Sequence, residues 1–348
     1  MSETTRRRLP AEWEEQSAIQ MTFPHAATDW AEMLDEVLPC FAAIAVAISR
    51  YQPVLIVCRD ISAVKPLLRN AVRENVLFAV CDSNDTWARD HGGIAIFDED
   101  GKPLIWDFMF NGWGLKFPAD KDNLITRRLY EQGVFDAERE YGGIVLEGGG
   151  IESDGQGTLL TTAECLLSLN RNPHLSGEEI EHELQIAFGV DRVLWLHHGY
   201  LAGDDTDSHI DTLARLCDPD TIAYVRCPDL KDEHFDALQQ MEAELQSFRT
   251  VSGQPYRLVP LPWPDACYAA DGHRLPATYA NFLIMNGAVL VPTYQVPQDD
   301  EALGIIAGLF PDREVIGVDC RPLIEQHGSL HCITMQYPAG VVKTTTNH

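Results

Sequence analysis

The sequence predicts an α/β protein with mixed rather than purely parallel sheets. Short apolar, strand-like runs alternate with helical patterns from end to end, the arrangement expected of layered α/β folds. Several of these runs come in pairs joined by tight turns, a connection open only to antiparallel neighbours. Neither GxGxxG nor a Walker motif stands between a strand and a helix, so a dinucleotide or triphosphate cradle is not expected.

In chain order, SAIQMTF (17–23) reads as a strand. WAEMLDEVLPCFAAIAVAISR (30–50) carries a helical period, with Pro39 expected to kink or divide it. PVLIVC (53–58) and NVLFAV (75–80) are short apolar runs of the kind buried strands show. GGIAIFDEDGKPLIWDF (92–108) predicts two strands about a DEDG turn, and IVLEGGGIESDGQGTLLTT (144–162) repeats that shape about DGQG. The triple glycine at 148–150 lies between strands and predicts a tight turn. SGEEIEHELQIAFG (176–189) has a Ser cap, an acidic first turn and a Gly stop, hence a helix. RVLWL (192–196) and TIAYVRC (221–227) are strands, the second followed by a helix over about 232–247. ATYANFLIMNGAVLVPTY (277–294) predicts a hairpin with Asn286-Gly287 at its tip. QDDEALGIIAGLF (298–310) is a helix and HCITMQYP (331–338) a closing strand.

The composition narrows the function. An apolar content of 45% and a charged content of 23% fit a soluble globular protein. A formal net charge of −27 disfavours nucleic acid and anionic membranes as partners and suits small cations. No run approaches the roughly 20 apolar residues of a membrane span. The three Arg at 6–8 are not followed by an apolar segment of signal-peptide length, so a cytoplasmic protein is expected. Nine scattered Cys without a CxxC pair read as reduced thiols.

Four segments could carry chemistry. GDDTDSHID (203–211) packs four Asp and one His into nine positions between apolar runs. On an extended chain alternate residues share a face, which would gather Asp205, Asp207, His209 and Asp211; the bland reading is a solvated acidic loop. With His197 and His198 these residues also offer N and O metal ligands, but HExxH and the zinc deaminase signature are absent, so a catalytic metal is not expected. SNDTWARDHGG (83–93) sets Trp87 beside Asp90: a ring can cover the face of a flat cation while a carboxylate takes its N–H groups. The alternative is that Arg89 pairs with a nearby acid and Trp87 is core. Glu147 ends an apolar strand, where a carboxylate is either paired or functional. Cys332, in HGSLHCIT, opens an apolar strand; most cysteines so placed are small buried hydrophobes. On an extended chain His331 would point to the opposite face, leaving His209 as the natural imidazole partner of Cys332.

Taken together, LPAEWEEQSAIQMTFPH, NDTWARD, LEGGGIESDGQGTLLTTAECLLSLNRNP, GDDTDSHIDTLAR, YANFLIMNGAVLVP and LHCIT resemble the agmatine deiminase family. This is the bacterial peptidyl-arginine deiminase-like branch of the guanidine-modifying enzymes, and the matches run in order from about residue 9 to 337. The resemblance implies a five-bladed α/β propeller with pseudo-fivefold symmetry and a central active-site channel, formed by residues 1–348 as one catalytic domain. It places the nucleophile on Cys332, the proton carrier on His209, a supporting carboxylate on Glu147, the guanidinium-binding carboxylates on Asp90 and Asp211, and a wall of the slot on Trp87. No metal or organic cofactor is implied. The implied reaction is hydrolytic deimination of a small guanidine, agmatine first, to N-carbamoylputrescine and ammonia through a thiouronium on Cys. Free arginine, peptidyl-arginine or a methylated arginine are the alternatives. No nucleic-acid or membrane partner is implied, and homo-oligomers are left open. Ser208 stands where many members carry Gly, and HGSLHC where a Gly-Gly-rich loop precedes the Cys; both differences bear on the substrate's tail.

Overall fold

The computed structural model describes residues 6–343. Its strands fall into five small sheets, four of three strands and one of four. β1 (Gln16–Thr22), β2 (Val54–Cys58) and β3 (Val76–Val80) pair in parallel. β4 (Ile94–Phe97), β5 (Pro103–Met109) and β6 (Glu138–Val145) form the next sheet. β7 (Ile151–Ser153), β8 (Thr158–Thr162) and β9 (Arg192–Leu196) follow, then β10 (Ala214–Asp218), β11 (Thr221–Val225) and β12 (Arg257–Leu261), then β13 (Leu283–Met285), β14 (Ala288–Thr293) and β15 (Glu314–Asp319). The last strand, β16 (Thr334–Pro338), returns to pair antiparallel with β1, with Met21 opposite Thr334.

Four of the sheets repeat one plan. A first strand turns tightly into an antiparallel second, and a helix then crosses to a third strand parallel to the second. The crossover helices are α1 (Leu34–Ser49), α2 (Ile125–Glu131), α3 (Gly177–Phe188), α4 (Phe235–Ser247) and α5 (Asp299–Leu309). In the sheet that holds both ends of the chain, β16 is the first strand, β1 the second and β2 the third. The first strands face inward: β16 lies against β4, and β7 against β10. The result is a five-bladed α/β propeller closed by the pairing of its terminal strands.

Local sequence explains the elements. β2, VLIVC, is buried along its length, as a strand between layers must be. α3 carries a full capping box between Ser176 and Glu179 and stops at Gly189, whose φ of 64° favours glycine. The Asn286-Gly287 tip closes the β13–β14 hairpin with Met285 opposite Ala288. α1 departs from expectation, running unbroken through Pro39. The proline sits on the helix's exposed side, as does Asp35, so the carbonyl that loses its intrahelical donor is open to water. Two strands, β12 and β15, were not expected; Pro260 and Gly317 interrupt their apolar runs.

Candidate active site

The five-fold plan builds the site. Just ahead of each inward-facing first strand, the chain makes a short turn that points one polar side chain at the axis. Asp90 precedes β4, Glu147 precedes β7, His209 and Asp211 precede β10, Asn281 precedes β13, and Cys332 precedes β16. Sites of this fold thus assemble from loops on a rigid scaffold. Five of these six side chains, all but Asn281, were expected to act together from sequences far apart, and the propeller brings them to one place.

Gly149 marks the centre. A Cβ on it would lie 2.6 Å from His209 Nδ1, 2.7 Å from Asp90 Oδ1 and 3.3 Å from Asp211 Oδ2. The triple-glycine turn therefore lets backbone press against three functional side chains at once. Gly149 N donates to Asp90 Oδ1 at 3.1 Å, and Trp113 Nε1 donates to Asp90 Oδ2 at 2.9 Å. His209 is fully buried, with Nδ1 3.5 Å from Asp90 Oδ1 and Nε2 3.8 Å from Glu147 Oε2. Neither ring nitrogen has a hydrogen-bond partner in the protein, nor does Asp211 Oδ1, so three buried polar atoms gathered beside Gly149 keep capacity for further hydrogen bonds. Cys332 Sγ is 3.4 Å from Asn281 Oδ1 and 3.9 Å from Asp211 Oδ2.

A slot of about 430 Å³ opens onto Cys332 and Asp90. Its walls are aromatic: Trp87, Trp113 and Phe117, with His327 at the rim. Trp87 packs on Trp30 with ring centroids 5.7 Å apart, and its Nε1 donates to Asp85 Oδ2 at 3.0 Å, so it serves both core and wall. Gly328 is needed for that wall, since a Cβ there would lie 2.2 Å from the Trp87 ring. Asp29, Asp85 and Asp205 stand at the mouth.

The charges are set by these contacts. Burial pushes Asp90 up to about 6, partly offset by His209 and reinforced by Asp211 and Glu147. Burial also works against ionised Asp211, but the hydrogen bond from His331 and the charges of His331, His209 and Arg215 hold it below the usual carboxylate range. For His209, burial opposes the cation, yet Asp90, Cys165 and Glu147 raise it well above the ordinary imidazole range. Burial, then the Asp211 and Asp90 charges, push the Cys332 thiol well up. Asp85 is pushed up to about 7 by burial and by Asp29.

The acidic loop differs from expectation. It is not extended: Asp207 and Ser208 adopt φ of 65° and 62°, and Ile210–Thr212 form a helical turn. Four aspartates thereby take separate duties. Asp204 accepts from Thr206 and Ser208 backbone N–H groups, and Asp207 is bound by Arg171 Nη1 and Lys116 Nζ, each at 2.6 Å. Asp205 reaches the mouth of the slot, and only Asp211 enters the centre with His209. Ser208 holds its left-handed backbone with Oγ donating to Glu164 at 3.0 Å. The alternative set of metal ligands does not converge, since His198 pairs with Glu244 at 2.8 Å. Among the described residues Glu147, Cys165 and His209 do offer three ligand atoms within 4.8 Å of one another. Both Glu147 oxygens, however, are already held by Arg171 Nε at 3.0 and 2.8 Å, a fixed cation where a metal would need free charge. Arg171 was not singled out from the sequence; neither were Trp113, Asn281 or Glu12. His331 was set aside as facing away. Residues 331–333 instead form a turn, β16 begins at Thr334, and His331 Nδ1 lies 2.7 Å from the same Asp211 oxygen that Cys332 approaches.

A propeller with a cysteine, an imidazole and paired carboxylates gathered on its axis defines the class of guanidine-modifying folds. Residues 8–338 match the model of the Porphyromonas-type peptidyl-arginine deiminase family, and the chain belongs to it. It is 35% identical to the agmatine deiminase of Stutzerimonas stutzeri over 96% of each chain. Among solved structures it resembles a Porphyromonas gingivalis protein provisionally named an arginine deiminase, at 56% identity and a TM-score of 0.93 over 97% of this chain and 100% of that one. It also resembles the agmatine deiminase of C. jejuni solved with substrate bound, at 37% identity and a TM-score of 0.90 over 96% and 97%.

Proposed function

We propose that this chain hydrolyses the guanidinium group of agmatine, giving N-carbamoylputrescine and ammonia, as one catalytic domain in the cytoplasm that feeds putrescine synthesis. The carrying observation is that Cys332, Asp90 and an acidic mouth share one aromatic slot, with Asp211 directly behind. The two carboxylates suit the N–H groups of a planar cation, and Trp87 and Trp113 suit its faces. Among the described residues lining the slot none is Arg or Lys, so an arginine carboxylate would meet no Arg or Lys charge there. Asp29, Asp85 and Asp205 suit a second positive charge. The printed names of the agmatine deiminase relatives support the same substrate.

The reaction follows from the charges. Burial first, and then the charges of Asp211 and Asp90, hold Cys332 as a thiol. A bound guanidinium neutralises Asp90 and Asp211, which removes the second of these penalties and favours the thiolate beside the electrophilic carbon. Thiol, guanidinium and His209, a cation in the resting site, give an S-linked thiouronium cation, ammonium and a neutral His209, the departing nitrogen taking one proton from sulfur and one from the imidazole. Neutral His209 then accepts a proton from the attacking water. Water adds to the thiouronium carbon, the C–S bond breaks, and sulfur recovers a proton. Glu147, fixed by Arg171, steadies the His209 charge through both halves. Ammonia release measured across agmatine, arginine, a blocked arginyl peptide and dimethylarginine, with Cys332→Ser as control, tests this. Turnover of agmatine above all others is expected. Preference for the peptide, or undiminished Cys332→Ser, contradicts it.

A further inference from the structure

Behind the site, on the side of the axis away from the slot, lies a chain of buried charges that the reaction above does not use. His331 is 2% exposed. Its Nδ1 is 2.7 Å from Asp211 Oδ2 and its Nε2 is 2.7 Å from Glu12 Oε2. Glu12 lies more than 300 residues away in sequence and is itself held: Arg215 Nη2 donates to Glu12 Oε2 at 2.9 Å, and Arg215 Nε is paired with Glu152. Arg89 Nη2 stands 3.8 Å from the same Glu12 oxygen. The Glu12 and His331 end of this chain opens on a second pocket, of about 630 Å³, which does not include Cys332 or Trp87.

Proton counting fixes what the ring does. A carboxylate only accepts, and a neutral imidazole has one N–H. Two carboxylates on the two ring nitrogens are both answered only when both nitrogens donate, the state in which His331 is a cation. Arg215 Nη2 also lies 3.2 Å from His331 Nε2; both groups converge on Glu12 Oε2 as donors, and burial of Glu12 is outweighed by His331 and Arg215, which keep it ionised. On its other side Asp211 faces Cys332, His209 and Asp90. Its Oδ1 has no partner.

We propose that His331, gripped by Glu12, is a positioning residue that holds Asp211 as a charged acceptor with Oδ1 turned toward the substrate cation. The inference rests on the deiminase reading of the same site and deepens it. Two carboxylates so close resist being ionised together. A fixed cation behind one of them lets both carry charge before the substrate arrives, which is preorganisation of the acceptor pair. The two acceptors differ in their hydrogen bonds: Asp211 accepts from His331, while Asp90 accepts from neutral donors, Trp113 and the Gly149 amide, with His209 3.5 Å away.

The test compares His331→Asn, which can still donate to Asp211 but carries no charge, with His331→Ala, which does neither. For His331→Asn the Asp211 carboxyl should rise by about one to three pH units and join Asp90 on the acidic limb of kcat/KM for agmatine, steepening it, with KM rising more than kcat falls and most activity regained at high pH. His331→Ala should not recover at any pH. A uniform loss in His331→Asn across the whole profile, or no change, overturns the proposal. Imidazole ¹⁵N spectra of the unliganded protein at pH 8, with the His331 signal assigned by its loss in His331→Asn, give a readout independent of turnover. Two protonated ring nitrogens support the proposal; a neutral ring overturns it. Should the wild-type protein release no ammonia from any guanidine, the deiminase reading fails, while the proton count still decides the state of His331.

Discussion

Gly149→Ala isolates the close packing at the axis. Gly149 does not need a left-handed backbone, so alanine is conformationally free to occupy the position. The added methyl would sit 2.6 Å from His209 Nδ1 and 2.7 Å from Asp90 Oδ1, well inside ordinary contact, and 3.3 Å from Asp211 Oδ2. Asp90 and Asp211 are hydrogen-bonded from behind by Trp113 and His331, and His209 is fully buried with Glu147 3.8 Å from its Nε2, so the strain falls on the site itself. Overpacking of this kind costs about 1–3 kcal/mol of stability, a drop of only several degrees in Tm for a protein of this size. A displacement near 1 Å at reacting groups costs about 100-fold in rate. Ammonia-release kinetics with agmatine should show kcat/KM reduced by about 100-fold or more, while the thermal transition stays cooperative. Activity within threefold of wild type would refute the convergence of His209, Asp90 and Asp211 on this residue.

Other perturbations separate the remaining roles. Cys332→Ser should lose turnover and still bind agmatine in a calorimeter, because the carboxylates and the aromatic walls are intact. Activity should fall as pH drops through about 6, because Asp90, raised by burial, loses its charge there and with it one arm of the guanidinium grip; a flat kcat/KM profile between pH 5 and 7 would count against that assignment. Arg171→Met leaves Glu147 buried without its cation and should cost about 3–5 kcal/mol of stability, seen as a large fall in Tm along with lost activity. Dialysis against a chelator should leave turnover unchanged, since Arg171 already occupies the Glu147 oxygens.

The sequence made some of this legible and not the rest, for physical reasons. Helix ends such as Ser176 and Gly189, and the Asn286-Gly287 hairpin, are local signals and were read within a residue or two. The five-fold repeat was invisible residue by residue, because a blade interior asks only for apolar bulk at alternate positions; it entered through the family resemblance. The acidic loop was misjudged as extended because nothing in DDTDSH announces two consecutive left-handed residues. Cys332, His209, Glu147, Asp90, Asp211 and Trp87 were named from motifs, and the structure adds their spatial relation. Asn281, Arg171, Trp113 and Glu12 escaped notice since each acts through a partner distant in the chain. The same distance hid His331, whose apparent orientation on a strand was an artefact of starting β16 three residues early.

The covalent role of one sulfur among nine buried cysteines is tested most directly by trapping it. Chloroacetamidine, a small amidine electrophile, should alkylate Cys332 alone, with loss of turnover in proportion to labelling and protection by agmatine, as read by peptide mass spectrometry. Labelling of a different cysteine in step with inactivation, or full turnover by protein modified at Cys332, would contradict the account.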